Sequence, residues 1–320
     1  MTDWQPSSGP AVAMRRAELL QRARHYFSGQ NVLAVDTPAL SRCAGTDPNL
    51  DSLAVRSNTG NDYFLHTSPE FCLKRMLADG YPDIYSICRV FRDGESGKRH
   101  LPEFTMAEWY RLDFDFSAII DDTVGFIAAC LNLPRLAENV AQYEYADAFQ
   151  ELAGVDALEG TVDQLSRVCD SDARLRSEIG ANRSAWLDLI MSTIIAPQFA
   201  GDQLTVVRHY PASQASLARL CPDDERVADR FEVFCGDLEI ANGYVELTDA
   251  EEQQRRFDQE LELRRRAGRS VPPQDHRLIA ALESGLPDCA GVAVGVERLQ
   301  MILDKTDDVS NVVTFSAETS

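Results

Sequence analysis

Three short segments carry side chains that could do chemistry together. Cys88-Arg89-Val90-Phe91-Arg92 puts an arginine at the end of a β-branched, aromatic run, just before a charged loop. Glu239-Ile240-Ala241-Asn242-Gly243-Tyr244-Val245-Glu246 offers two carboxylates and an amide. Gly291-Val292-Ala293-Val294-Gly295-Val296-Glu297-Arg298 feeds a glycine-bearing run into an arginine. Arginine presents a planar fork of donors that suits phosphate oxygens. Carboxylates suit a magnesium ion or a substrate ammonium. Joining a carboxylate to the α-phosphate of ATP needs both, because the two reactants are negative. Cations must neutralise the phosphates, and acids must hold the escorting metal and the substrate amine. Taken singly, each segment is ordinary: Arg92 reads as a surface ion pair, Glu239 and Glu246 as solvated acids, Arg298 as a helix-surface charge. Gly291 and Gly295 alone could merely permit close packing. The reading rests on the combination and its order.

These groups need elements to position them. Residues 12–27 read as an amphipathic helix stopped by Gly29, followed by a short strand at Val32–Val35 that leads into Thr37-Pro38. Ile84–Arg92 and Phe104–Arg111 read as two strands, the second with Phe104, Met106, Glu108 and Tyr110 on one face. The loop between them, Asp93–Glu103, is long and charged, a common place for function. Residues 116–131 and 161–196 look helical. Strands return at Leu204–His209, Arg230–Phe234 and Leu238–Ala241, with turn signals at Cys235-Gly236-Asp237 and Asn242-Gly243. Thr248 and Glu251 form a capping-box start for a charged helix that ends near Gly268. Ala290–Val296 suits a buried strand, and Glu297–Leu303 a helix. The class is α+β, with a mainly antiparallel sheet flanked by helices. Walker A and Rossmann glycine fingerprints are missing, so phosphates must be held another way.

Composition narrows the class. The chain has 320 residues, 44% hydrophobic and 26% charged, which is ordinary for a globular protein. No apolar run is long enough for a membrane span, and the first residues lack a secretory pattern, so a cytoplasmic enzyme is expected. The eight cysteines are scattered with no CxxC pair, which fits reduced thiols better than a zinc ribbon. The net charge of −20 opposes broad binding to nucleic-acid phosphates.

The first and third of the three segments, with the Thr37-Pro38 region upstream, resemble motifs 2, 3 and 1 of the class II aminoacyl-tRNA synthetases. Motif 1 is the Val35-Asp36-Thr37-Pro38 region, motif 2 the Arg92 strand–loop–strand, and motif 3 the Gly295…Arg298 strand–helix. More closely, the chain resembles the elongation factor P lysine ligases, truncated paralogues of lysyl-tRNA synthetase, from about Trp4 to Phe315. The most specific stretches are Thr67-Ser68-Pro69-Glu70, Pro102–Arg111, Pro211–Ala218 and Pro287–Gly295. The resemblance implies that Ser68, Pro69 and Glu70 line the amino-acid pocket and that Tyr110 closes over the substrate. It implies that Arg92, beside Asp93, contacts the α-phosphate, and that Glu239, with Ile240 beside it, works with ATP and magnesium. Asn242 would orient the substrate carboxylate, and Glu246 would pair with a substrate ammonium. Gly295 would leave room for the nucleotide, and Arg298 would grip the distal phosphates. Ala293 stands where lysyl-tRNA synthetases have glycine, and its methyl would reshape the pocket toward (R)-β-lysine.

Two positions depart from the family pattern. Motif 2 reads Arg92-Asp93-Gly94 in place of Arg-x-Glu, with Glu95 one place later, and Leu101 replaces an asparagine. An anticodon-binding β-barrel of roughly 100 residues would have to precede motif 1 in a full synthetase, and motif 1 begins near residue 32. The chain is therefore expected to be a single catalytic domain over 1–320, with 112–203 a largely helical insertion and no anticodon-binding domain. Its acceptor would be elongation factor P rather than tRNA, and its state a homodimer through motif 1. Two alternatives compete: a lysyl-tRNA synthetase using a separate anticodon-binding partner, and a non-catalytic paralogue that binds an amino acid and regulates a partner.

Overall fold

The computed structural model describes residues 4–60, 62–316 and 319–320. Its strands are β1 (Leu33–Ala34), β2 (Leu40–Ser41), β3 (Ala54–Arg56), β4 (Asp62–Leu65), β5 (Ile84–Phe91), β6 (Glu103–Leu112), β7 (Val140–Glu144), β8 (Leu204–Pro211), β9 (Leu220–Cys221), β10 (Asp224–Cys235), β11 (Leu238–Val245) and β12 (Cys289–Gly295). Its α-helices are α1 (Pro10–Gly29), α2 (Glu70–Ala78), α3 (Phe116–Leu131), α4 (Tyr145–Leu152), α5 (Val162–Val168), α6 (Ala173–Ile179), α7 (Arg183–Ile190), α8 (Ala250–Arg266), α9 (His276–Gly285) and α10 (Val296–Asp304). Most strand pairs are antiparallel, in an α+β arrangement. The chain divides into two compact units. One comprises Met1–Asp115, Ala129–Leu133 and Thr248–Ser320; the other comprises Phe116–Ala128 and Pro134–Leu247.

In the first unit β5 pairs antiparallel with β6, and β6 with β12, while the short β1 lies parallel beside β5. The alternation read in β6 is what splits its side chains between two faces. On one face Trp109 and Tyr85 receive Phe27 of α1, at ring separations of 5.3 and 4.1 Å. The other face carries Met106, Glu108 and Tyr110, flanked in register by Cys88, Ser86 and Ile84 of β5 and by Gly295, Ala293 and Gly291 of β12. A small sheet of order β2-β4-β3 and the helices α2, α8 and α9 complete this unit, with Phe71 of α2 against Phe257 of α8.

In the second unit the order is β11-β10-β8-β7, with β9 paired to the start of β10. All these pairs are antiparallel except β7 with β8. Helices α4, α5 and α7 bury Tyr145, Phe149, Leu165, Trp186 and Ile190 against Val207, Tyr210 and Phe234 of the strands. The segment read as a helical insertion holds α3 to α7, and also β7, which the sequence reading missed along with α2 and α9.

Two local expectations fail for physical reasons. Asn242-Gly243 does not turn: both residues lie within β11, opposite Glu232 and Phe231. A tight Asn-Gly hairpin needs positive φ, and that conformation falls instead to Gly236 (φ +58) between β10 and β11. The cap of α8 is Asp249, whose side chain accepts the Glu252 N–H at 3.0 Å, so the helix starts one step later than the Thr248–Glu251 pattern suggests.

Candidate active site

In the first unit Glu108 is the centre of a buried polar cluster. Its carboxylate, 3% exposed, accepts the Ser68 hydroxyl at 2.8 Å and the Tyr110 hydroxyl at 2.9 Å. Ser68 is aimed by its own turn, since its Oγ accepts the Glu70 N–H at 2.9 Å as α2 begins behind Pro69. Glu70 lies 2.7 Å from the Lys74 ammonium one helical turn on, and Lys74 is only 1% exposed. Burial pushes the Glu108 carboxyl up to about 8, Glu70 adds to the rise, and the two hydroxyls and Lys74 oppose it. Ser68, Glu70 and Tyr110 are thus brought together around Glu108. Glu108 is the residue the sequence reading passed over. Ala293 stands directly across from Glu108 in the β6–β12 register, so its methyl projects from the same face at neighbouring-strand distance.

The arginines sit around the 92–103 loop. Arg92 donates its backbone N–H to Pro102 O at 2.9 Å, and its guanidinium lies 5.1 Å above the Phe104 ring. Its Nε is buried with no hydrogen-bond partner among the described residues. Glu95 lies 3.7 Å from its Nη1, so a carboxylate is supplied one place later than the family pattern has it. Gly94 has φ +77, a conformation that disfavours the usual glutamate there. The Asp93 N–H donates to Asp51 O at 2.8 Å, tying the loop to the segment before β3. Arg298 reaches His100 Nε2 at 3.0 Å, on the same loop. Its neighbour Glu297, 2% exposed, accepts the Thr105 N–H at 2.9 Å and the Arg16 guanidinium at 2.8 Å, which fixes the first turn of α10 to β6 and α1. A Cβ at Gly295 would meet the Arg298 side chain at 3.5 Å, ordinary contact, so the glycine keeps that space open without being strictly required by packing.

In the second unit one face of the β10–β11 hairpin gathers the acids. Glu232 and Asn242 are in register. The register then shifts between Val233 and Phe234, so that Glu239 pairs with Phe234 and Ile240 is the extra residue. This bulge turns Glu239 onto the face of Glu232. Burial pushes the Glu232 carboxyl up to about 7, with Glu239 raising it further and Arg230 and Tyr210 lowering it. Arg230 holds Glu232 at 2.7 Å, and the Tyr210 hydroxyl donates to it at 2.6 Å. Two carboxylates that repel each other, one buried and one half-buried, suit a divalent cation, and Glu232 was not foreseen as part of that pair. Asn242 Oδ1 is buried with no protein partner among the described residues, and so is available to a ligand donor. Glu246 is 2% exposed, held where its backbone bridges Ala218. Ile240 is buried beside Glu239. Arg92 and Arg298 therefore belong to one unit, and Glu239, Asn242 and Glu246 to the other.

The family profile of class II tRNA synthetases (D, K and N) matches residues 3–319. The elongation factor P–(R)-β-lysine ligase of Haemophilus ducreyi is 37% identical over 321 residues, covering 99% of this chain and 97% of the relative. That of Pectobacterium atrosepticum is 38% identical over 326 residues, covering 99% and 98%. That of Klebsiella pneumoniae (strain 342) is 38% identical over 323 residues, covering 98% of each. With the buried carboxylate clusters and the loop-bound arginines in place, the chain belongs to the class II tRNA synthetase family and, within it, to the group of elongation factor P–(R)-β-lysine ligases.

Proposed function

We propose that this chain is an ATP-dependent, AMP-forming ligase that activates lysine or (R)-β-lysine as an aminoacyl-adenylate. It then transfers the acyl group to the ε-amino group of a lysine on elongation factor P. The observation that carries the reading is the acid cluster of Glu108, Ser68, Tyr110 and Glu70, a buried receptor for an ammonium group. The substrate class is further supported by the names of relatives that align over nearly the whole chain.

In the first step a substrate carboxylate oxygen attacks the α-phosphorus, and the bond to pyrophosphate breaks. Arg92 offers its buried Nε and its Nη groups to the α-phosphate, with Asp93 and Glu95 shaping the loop beside it. Arg298, braced through Glu297, takes the distal phosphates. Glu239 and Glu232 fit magnesium, which when bound would neutralise the departing pyrophosphate. Asn242 orients the substrate carboxylate end, and Glu246 pairs with an ammonium group. Gly295 leaves room for the nucleotide beside Arg298, and Ile240 is the buried apolar neighbour of Glu239. In the second step the acceptor amine attacks the activated carbonyl carbon. The bond to AMP breaks, and the amine loses a proton. No side chain need be acylated; positioning and charge carry the rate.

The two units are read as one catalytic domain. Homodimerisation through motif 1 is supported by Leu33 and Leu40, large apolar side chains left exposed in that region. A cytoplasmic location is supported by eight free cysteines, and among the described residues no helix is long and apolar enough to cross a membrane. Intact-mass analysis of elongation factor P, after incubation with the protein, ATP, magnesium and each lysine isomer, tests the proposal. A gain of one lysyl group is expected. No gain together with charging of tRNA would establish the synthetase instead, and folded protein giving no ATP–pyrophosphate exchange with either isomer would establish the non-catalytic paralogue.

A further inference from the structure

In the second unit, His209 ends a chain of charged contacts that the adenylation chemistry does not use. Its Nδ1–H donates to Glu144 Oε2 at 2.6 Å, while the other oxygen of Glu144 accepts from Arg208 at 2.7 Å. Its Nε2 faces Asp229 Oδ1 at 3.6 Å, while the other oxygen of Asp229 accepts from Arg219 at 2.8 Å. The Cys221 thiol completes the group: one ligand atom each from His209, Cys221 and Asp229 lie within 4.8 Å of one another. Phe116 covers the imidazole with ring centroids 4.8 Å apart.

The backbone delivers these side chains by an irregularity. Between the pairs Ala228–Tyr210 and Phe231–Arg208, Asp229 and Arg230 of β10 oppose the single residue His209 of β8. His209 takes φ +56, the left-handed conformation that a non-glycine residue adopts at a cost. Cys221 arrives on β9, paired with Asp224 of β10.

We propose that His209 Nε2, Cys221 Sγ and Asp229 Oδ1 form a zinc site, with water as fourth ligand. Imidazole, thiolate and carboxylate are all zinc donors, and ligand atoms around a tetrahedral zinc stand about 3.3–3.8 Å apart, close to the His209–Asp229 separation. Glu144 is the carboxylate that a zinc-bound histidine commonly carries on its second nitrogen, and it fixes the tautomer that leaves Nε2 for the metal. Arg219 turns Asp229 so that only Oδ1 is offered. Zinc takes the place of the Cys221 thiol proton, which leaves to solvent, and Arg208 and Arg219 balance the charge of Glu144 and Asp229 around the site. The site clamps β8, β9 and β10 at the two ends of the 212–219 segment. That segment in turn holds the Glu246 strand, through Arg219 N–H to Val245 O at 3.0 Å and Leu247 N–H to Leu217 O at 3.0 Å. Zinc would thus stiffen the backbone under Glu246.

Cobalt(II) titration of the metal-stripped full chain tests this, because a carboxylate-only site gives no thiolate-to-cobalt absorption. One equivalent should bind with a thiolate band and tetrahedral visible bands, and zinc should displace it. Cys221→Ser should lose the thiolate band while Cys169→Ser keeps it, and Glu144→Gln should weaken binding about tenfold or more. In the unmutated protein, zinc should protect Cys221 from alkylation, read by peptide mass, which covers the case of a variant that does not fold. Absence of a thiolate band, its survival in folded Cys221→Ser, or alkylation of Cys221 indifferent to zinc would each overturn the site.

Discussion

Glu108 should make amino-acid binding depend on pH in a way no surface acid could. Its carboxyl is raised to about 8 by burial, so at neutral pH about nine in ten free molecules carry it protonated. A substrate ammonium favours the ionised form, so binding must expel that proton. The sign follows: affinity is low where the carboxyl is protonated and climbs as pH rises toward its titration point. With a free value of about 8, apparent affinity should rise about 50-fold between about pH 6 and about pH 8, while the substrate amines stay charged. Calorimetry at about pH 7, in buffers of different ionisation enthalpy, should show about 0.9 proton released per amino acid bound. Glu108→Gln removes the titration and flattens the profile. Ser68→Ala removes a hydroxyl that donates to the ionised form at 2.8 Å. A hydrogen bond to a charged group is worth about 1.5 kcal/mol or more, so the profile should move up by about one pH unit. A flat profile in the parent protein with no buffer-dependent heat would refute the ammonium-receptor reading of this cluster.

Ala293→Gly removes a methyl that faces Glu108 across the β6–β12 register. The ratio of kcat/KM for (R)-β-lysine over α-lysine should fall about tenfold, the usual worth of one methyl in a pocket, measured by ATP–pyrophosphate exchange. Glu260 of α8 concerns stability: its carboxyl accepts the Thr46 hydroxyl and is raised to about 7, chiefly by burial. A folded carboxyl raised above its unfolded value stabilises most at low pH, and that stabilisation is lost as pH climbs from about 4.5 through about 7. Glu260→Gln keeps an acceptor for Thr46 without the titration, so it should stabilise the protein by about 1–3 kcal/mol at about pH 8 and by little at about pH 5, read by thermal melts in matched buffers.

Much of the first unit was legible because its signals are local. The strict alternation of β6 puts Trp109 and Tyr110 on opposite faces, and the structure sets Trp109 against Phe27 of α1. Arg92 and Arg298 fall where strand ends and a helix start predict. Glu108 escaped notice because it is one acid between Met106 and Tyr110 on a face that reads as core. Only its partners, Ser68 on the turn before α2 and Glu70 beyond it, mark it as a receptor, and they are distant in sequence. Helix α2 buries Glu70 and Lys74 along with Leu73 and Leu77, which blurs its apolar stripe, and β7 is a half-buried edge strand with little apolar contrast.

The second unit was harder to read for a different reason: its polar groups are placed by breaks in the two-residue period. The shift at Val233/Phe234 brings Glu239 to the face of Glu232, and the shift between Ala228 and Phe231 sets Asp229 and Arg230 against His209. A pattern that assumes unbroken alternation assigns Glu239 to the face opposite Asn242 and sees no pair of carboxylates at all. Bulges of this kind leave a residue without its ladder partner and bend the strand, so they persist where re-aiming a side chain is worth that loss. Both of these re-aim a carboxylate, one toward a second carboxylate and one toward a histidine and a thiol. The chemistry of this unit therefore resides in register, which is a property of paired strands and has no signature in either strand alone.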